Sequence, residues 1–370
     1  MARKLKSDKV LFLATLLLVF ASIVMVYSAS AVMAMERFQR PYLFLIKQSM
    51  WVALGLAALG IAMRIDYRVY RQPAVVWTSL AVVGAGLCLV LLGPPINGTR
   101  RWFGVGGFGV QPSELAKLAL IVFTAALLER RMHRVNDLRY ALLPIALVTG
   151  AIVVLVLLEP DFGTAVSMLM VVALMVFAAG LDWRYFAAVA LAGIPTLMAV
   201  AMAAPYRMRR FTAFLNPEAD PLGDGFQILQ SLIAVGTGGV TGTGLMQGVQ
   251  KLFYLPEPHT DFIYAVIGEE LGLLGATLVL VAFLVITWRG LRVALHSPDA
   301  FASFLAMGLT AMVAVQAFIN ISVVLALLPT KGIPLPFVSA GGSSLLINLI
   351  GMGILLNLSQ HTSPVPGDEA

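Results

Sequence analysis

Ten apolar runs, each near the length that crosses a bilayer, leave this chain few ways to fold. They cover 10–33, 42–63, 75–92, 113–128, 141–158, 162–180, 185–204, 262–288, 300–328 and 337–358. About 20 mostly apolar residues span the hydrocarbon core, and a helix satisfies every backbone group within its own segment. Charged residues make up only 12% of the chain, against the usual quarter, while 59% of residues are hydrophobic, which excludes an ordinary soluble composition. The expected fold is all-α: a polytopic integral membrane protein of about ten transmembrane helices forming one domain over residues 1–370. Within it, 1–9 forms a cytoplasmic N-terminus, 205–261 a large extracytoplasmic loop between helices 7 and 8, and 359–370 a cytoplasmic tail.

The start "MARKLKSDK", with "SASA" after the first apolar run, has the outline of a secretory signal. The run exceeds the 7–15 residues of a signal core, so a retained first helix is expected. Orientation follows from Lys and Arg on alternate sides: with the N-terminus inside, fourteen fall on inner segments and nine on outer ones, and Lys47 and Lys117 lie within spans. Four of the nine belong to the long loop, which this rule discounts. The net charge of +6 is accounted for by cytoplasmic loops facing anionic lipid rather than by nucleic acid.

With this topology the unusual residues gather on the outer side: "NGTRRWFGVGGFGVQPSE", "EPDFGT", the stretch 205–260 and "LPTKGIPLPFVSAGGSS". No ATP is present there, so a reaction must draw on an activated substrate or an ion gradient. Glu114 and Lys117 sit three residues apart inside a span and can pair on one helix face. An intramembrane charge is costly, which leaves two readings open: a locking ion pair or a pair lining a cavity. Asp261 opens the eighth run, as a helix N-cap or as a functional acid, and the two are compatible. At 100° per residue, one of Glu269 and Glu270 would face the bundle interior with Asp261, and the other a neighbouring helix.

Several patterns carry no site. "GVGGFG" (104–109) fits a dinucleotide fingerprint but precedes a membrane helix without a βαβ unit, so a turn is expected. "GTGGVTGTG" (236–244) lacks the Lys-Ser/Thr of a P-loop and reads as irregular turns or a re-entrant segment. The four histidines lack ligand spacing, which argues against zinc. "PLPFVSAGGSSLL" is a helix start with small side chains and free N–H groups, able to hold an anion or simply to pack closely. With Lys331 upstream, Ser343 and Ser344 at the helix start, and Arg207, Arg209 and Arg210 in the long loop, a diphosphate is the natural anion.

Assembled in order, "INGTRRWFGVGGFGVQPSELAKLAL", "EPDFGTA", "RMRRFTAFLNPEADPLGDGFQILQS", "LPEPHTDFIYAVIGEELG" and "LPTKGIPLPFVSAGGSS" closely resemble the SEDS family (shape, elongation, division and sporulation) over nearly the whole chain. "QKLFYLPEPHTDF" and "PTKGIPLPF" are more similar to its division branch than to its elongation branch, while Ala340 departs from the aromatic often found before the two glycines. The resemblance implies a peptidoglycan glycosyltransferase acting on lipid II at the outer face of the bacterial inner membrane, at the division septum. Undecaprenyl diphosphate would be its leaving group. It implies Asp261 as general base, Glu114 and Lys117 as cavity residues, and Arg101 and Trp102 as an outer-loop motif; Lys331, Ser343 and Ser344 follow from the helix-end chemistry. It also implies a class B penicillin-binding protein (a transpeptidase) and other division proteins as partners, and admits a divalent cation, Mg2+ or Mn2+, at the diphosphate. Flipping of lipid II is the alternative activity, and polar groups through the membrane depth would mark it.

Overall fold

The computed structural model describes residues 7–94, 99–105, 108–185, 187, 191, 205–223 and 225–362. Eleven α-helices run through these residues. They are α1 (Lys9–Phe38), α2 (Leu43–Ala62), α3 (Pro73–Leu92), α4 (Pro112–Arg131), α5 (Leu143–Leu158), α6 (Phe162–Ala178), α7 (Pro205–Leu215), α8 (Phe226–Thr237), α9 (Ile263–Leu295), α10 (Ala300–Val324) and α11 (Gly342–Ser359). One hairpin interrupts them, β1 (Phe103–Val105) paired antiparallel with β2 (Phe108–Val110), Phe103 opposite Val110. The expected turn at 104–109 is therefore a short ribbon that carries the chain into α4.

Nine of the ten expected spans coincide with described helices. Seven, counting α5 with the helical turn that leads into it from Leu138, are long and apolar enough to cross a membrane; α6 is one residue short of that length, and α4 carries Glu114, Lys117 and Glu129. The expected seventh span, 185–204, lies outside the described residues apart from Tyr185, Ala187 and Leu191. The chain is a multi-pass membrane protein, and its helices outlast their apolar runs: α1 continues to Phe38 and α9 to Leu295. The 205–261 segment is more ordered than a loop, since α7 and α8 lie within it. Ser231 on α8 donates to the Val324 carbonyl at 2.7 Å, tying the segment to the end of α10.

Burial sorts the helices. In α10 and α11 the apolar windows are 78% and 83% buried, whereas those of α2 and α3 are 28% buried and turn the rest of their surface to lipid. Helices in lipid gain little from apolar burial alone, so close packing of small residues holds them together. Gly353 on α11 shows this: a Cβ there would stand 2.6 Å from the Leu59 carbonyl oxygen of α2. The "SASA" sequence is one such packing face, with Ser28, Ala29, Ser30 and Ala31 all buried inside α1. The first helix is thus an integral part of the bundle.

The long helix α9 breaks at Gly272, whose φ of 64° and ψ of −163° fall where glycine alone is at ease. The glycine-rich 238–244 segment fills the break. Thr243 and Gly244 donate N–H to the carbonyls of Glu269 and Glu270, and Leu273 and Leu274 donate to those of Gly239 and Val240. Backbone groups freed by the break are satisfied by this wedge rather than left bare in the membrane.

Candidate functional site

Four segments converge beside the end of α10: the turn 159–162, the residues before α9, the loop 329–340 and the start of α11. Asp261 lies at their junction. It lies just ahead of α9, whose first residue is Ile263 and whose cap position is Phe262. Asp261 belongs to a turn fixed by its backbone. The His259 carbonyl accepts from Ala340 N–H (2.9 Å), the Thr260 carbonyl from Ser339 Oγ (2.5 Å), and the Asp261 carbonyl from Asn320 Nδ2 (2.8 Å). Asn320 also donates to the Ile333 carbonyl at 2.7 Å, so one buried amide bridges both loops. Three successive carbonyls anchored in this way hold the acid on a rigid mount. Gly332 passes so close that a Cβ there would lie 2.9 Å from Asp261 Oδ2.

Lys331, the next residue back, is half-buried with its ammonium 4.2 Å from the centre of the Phe162 ring. Removal from water pushes its pKa down to about 8, while the ring face gives it a cation–π partner. Phe162 opens α6 just after "EPD", and Asp161 caps that helix, accepting from Thr164 N–H at 3.2 Å, Thr164 Oγ1 at 2.8 Å and Gln111 Nε2 at 2.8 Å. The "EPDFGT" motif therefore positions Phe162 under the lysine.

Glu114 and Lys117 form a 2.8 Å ion pair, 3% and 4% exposed, and Lys117 Nζ also donates to Gln316 Oε1 at 3.2 Å. Gln316 in turn donates to the Pro334 carbonyl at 3.4 Å. The pair thus reaches the 329–340 loop through one side chain.

Arg101 is committed to the end of α5: Nε donates to the Glu159 carbonyl and Nη2 to the Pro160 carbonyl, both at 2.7 Å. A cation at a helix C-terminus satisfies orphan carbonyls. Trp102 lies against Gly109 across the ribbon, 3.0 Å from where a Cβ would stand. Arg101 ties the hairpin to the bundle, and Trp102 packs within the hairpin. Glu159 is fully buried, its carboxylate oxygens meet no hydrogen-bond partner among the described residues, and burial with Asp161 nearby lifts its pKa to about 8.

The helix end at α11 differs from an open anion seat. Ser343 and Ser344 are buried, Ser343 Oγ accepts from Gln111 N–H at 3.4 Å, and the Trp51 indole roofs Gly342, 2.1 Å from where a Cβ would be. Small residues there admit the indole, which is the close-packing reading. Arg207, Arg209 and Arg210 lie on α7; the side chains of Arg207 and Arg210 are outside the described residues, and Arg209 is exposed.

The helical wheel turned one of Glu269 and Glu270 to the bundle interior with Asp261 and the other to a neighbouring helix; Asp261 precedes the helix, and Glu270 does reach α1, at Ser28. Glu269 accepts from Val249 and Gln250 N–H (2.7 and 3.1 Å), while Glu270 pairs with Lys251 at 2.5 Å and accepts from Ser28 Oγ at 2.7 Å. These two acids clamp the 242–251 segment to α9 and α1. Among the described residues no three His, Cys, Asp or Glu side chains gather to cage a metal ion.

The family model described as a cell cycle protein, for FtsW, RodA and SpoVE, matches residues 8–364. The chain belongs to this family. It is 43% identical over 365 residues to stage V sporulation protein E of Bacillus subtilis (strain 168), covering 97% of this chain and 99% of that one. It is also 43% identical over 357 residues to the probable peptidoglycan glycosyltransferase FtsW of Geobacter sp. (strain M18), covering 95% and 96%. Among solved structures, a peptidoglycan synthase complex that coordinates polymerization and crosslinking superposes with a TM-score of 0.78 at 32% identity, over 95% of this chain and 97% of its counterpart. Asn320, Gln316, Gln111 and Phe162 are the site residues that sequence reading passed over. The signal available was the pair Gln316 and Asn320, the two amides of a largely apolar run, at i and i+4.

Proposed function

We propose that this chain is a peptidoglycan glycosyltransferase of the division type, extending glycan strands from lipid II at the outer face of the membrane. The observation that carries the reading is the mount of Asp261, one glycine away from the half-buried Lys331. An acceptor hydroxyl must lose a proton as its oxygen attacks an anomeric carbon, and a diphosphate must leave with its charge stabilised. Asp261 takes the proton of the 4-hydroxyl of one lipid II. Lys331 faces the undecaprenyl diphosphate released from the growing strand. Ser343 and Ser344 would take part only if Trp51 moved aside, so the leaving group is assigned to Lys331. A Mg2+ or Mn2+ ion, where one assists, would be held by Asp261 and the diphosphate oxygens and would supply further charge there.

Glu114 and Lys117 act behind the site, through Gln316 and the loop that bears Lys331. Arg101 and Trp102 hold the ribbon and the 159–162 turn that carries Phe162. Likeness to the synthase complex supports a class B penicillin-binding protein as partner, crosslinking the strands as they emerge, with the other division proteins gathered at the septum. The test is lipid II polymerisation by the purified chain with that partner, run beside a vesicle assay that follows lipid II between leaflets. Glycan strands without transfer between leaflets support the reading. Transfer without strands would replace it with the flippase.

A further inference from the structure

We propose that the corner joining α4 to α5 is a binding site for an anionic phospholipid, which sets its phosphate among Arg131, Arg134 and His133 and lays an acyl chain along α5. The corner stands at the end of the bundle away from Asp261. There α4, which starts where Gln111 meets Asp161, has carried the chain through 20 residues, about 30 Å, to Arg131. None of the residues assigned to the reaction takes part, and in the glycosyltransferase reading the lipid belongs to the inner leaflet.

Two arginines and a histidine crowd one ring. The Arg131 guanidinium lies 4.8 Å and that of Arg134 5.9 Å from the centre of the Tyr140 ring, and the His133 ring meets it edge-on at 5.9 Å. Arg131 also donates to the Tyr140 carbonyl. The acids nearby are engaged elsewhere. Glu129 pairs with Arg71 at 2.9 Å, Asp182 lies 4.0 Å from Arg184, and Asp137 accepts from the N–H groups of Arg139 and Tyr140. Among the described residues no carboxylate lies within ion-pair distance of Arg131 or Arg134. Like charges gathered without a counter-ion repel, and a phosphate accepting from both guanidiniums removes that cost.

The corner is fixed in place. Val135 is buried, Asn136 Oδ1 accepts from Asp182 N–H at 2.8 Å, and the Tyr185 hydroxyl donates to the Asn136 carbonyl at 3.0 Å. A hollow of about 580 Å3 remains between this connector and the end of α6, lined by His133, Arg134 and Asn136, with Asp137 at its edge. Exposed Trp183 and Tyr140 mark the depth of the headgroups, where amphipathic rings collect. Below Tyr140, α5 presents Leu143, Leu147 and Val154, all exposed, and Gly150, where a Cβ would meet nothing within 4 Å. Residues three, four and seven apart share a helix face, so this is one apolar track. Cations at the head of such a track fit a phospholipid, since neither a free phosphate nor an acidic peptide would use the track.

The test is native mass spectrometry of the full chain in detergent, titrated separately with phosphatidylglycerol and phosphatidylethanolamine. The anionic lipid should bind more tightly, by about fivefold for each arginine that faces it. That preference should fall about fivefold in Arg134→Gln, vanish in the double variant Arg131→Gln with Arg134→Gln, and persist when both are changed to Lys. Arg64→Gln, which removes an exposed arginine at the same end, should leave it unchanged. Equal binding of the two lipids by the wild-type chain, or a preference kept in Arg134→Gln, would overturn the inference. So would an equal loss in Arg64→Gln, which would mean diffuse surface charge. Glycerophosphoglycerol, the headgroup without its chains, should fail to compete; competition at equal concentration would replace the lipid with a free phosphate ester. The titration needs no turnover, so it stands or falls apart from the glycosyltransferase reading.

Discussion

Replacing Lys117 with Met should destabilise the bundle more than any single change at its lipid-facing surface. Both partners of the Glu114–Lys117 pair are almost wholly out of solvent, at 2.8 Å, so removing the lysine strands a buried carboxylate. Breaking such a pair costs about 3–5 kcal/mol, most of it the desolvation of the orphaned charge, whereas replacing both partners with apolar or neutral groups is often close to neutral. At about 2.1 cal/mol/K per residue, 370 residues give an unfolding entropy near 0.8 kcal/mol/K, so the single change should lower Tm by about 4–6 °C. Thermal unfolding in one detergent, followed by fluorescence for wild type, Glu114→Gln, Lys117→Met and the double variant, completes the cycle. The double variant should recover most of the loss. Additive losses would mean that the two charges are satisfied separately, and the coupling drawn from their geometry would fall.

Three further outcomes follow from local geometry. Burial holds Glu159 protonated with its pKa raised to about 8, so its contribution to stability is complete below about 4.5 and is lost as pH rises through 8; Glu159→Gln should flatten the fall in Tm between pH 5 and 9, and an unchanged slope would refute the assignment. Gly332→Ala should push the Asp261 carboxylate aside and cut polymerisation at least about tenfold while Tm changes by little, since only 2.9 Å is available to the new methyl. Gly272→Ala should be far worse than an ordinary glycine change, because strain at its positive φ, of order 1–3 kcal/mol, adds to overlap with the backbone of Val240 and Gly242; expression and Tm would read it.

The bundle was legible because its signal is long and redundant: twenty apolar residues cannot be hidden, and nine such runs became described helices. The Glu114–Lys117 pair was legible for the same reason, being a fixed spacing on one helix. What sequence spacing could not supply was geometry across breaks. The wheel that grouped Glu269 or Glu270 with Asp261 assumed one helix from residue 261, whereas the helix begins at Ile263 and both acids turn to the 242–251 segment. Two small residues at the start of α11 could have meant an open anion seat or a tight contact, and only the position of Trp51 separates the two. Gln111, Gln316 and Asn320 join segments tens to hundreds of residues apart, a kind of contact that local patterns do not encode.

The most direct measurement is lipid II polymerisation by the chain with the proposed penicillin-binding protein partner, comparing wild type with Asp261→Asn. Asparagine keeps the size of the side chain and the backbone mount, so lipid II binding and Tm should stay within error while glycan strands disappear. Strands formed at the wild-type rate by Asp261→Asn would contradict the assignment of this carboxylate as the base, and with it the account of the outer loops as the mount of a catalytic acid.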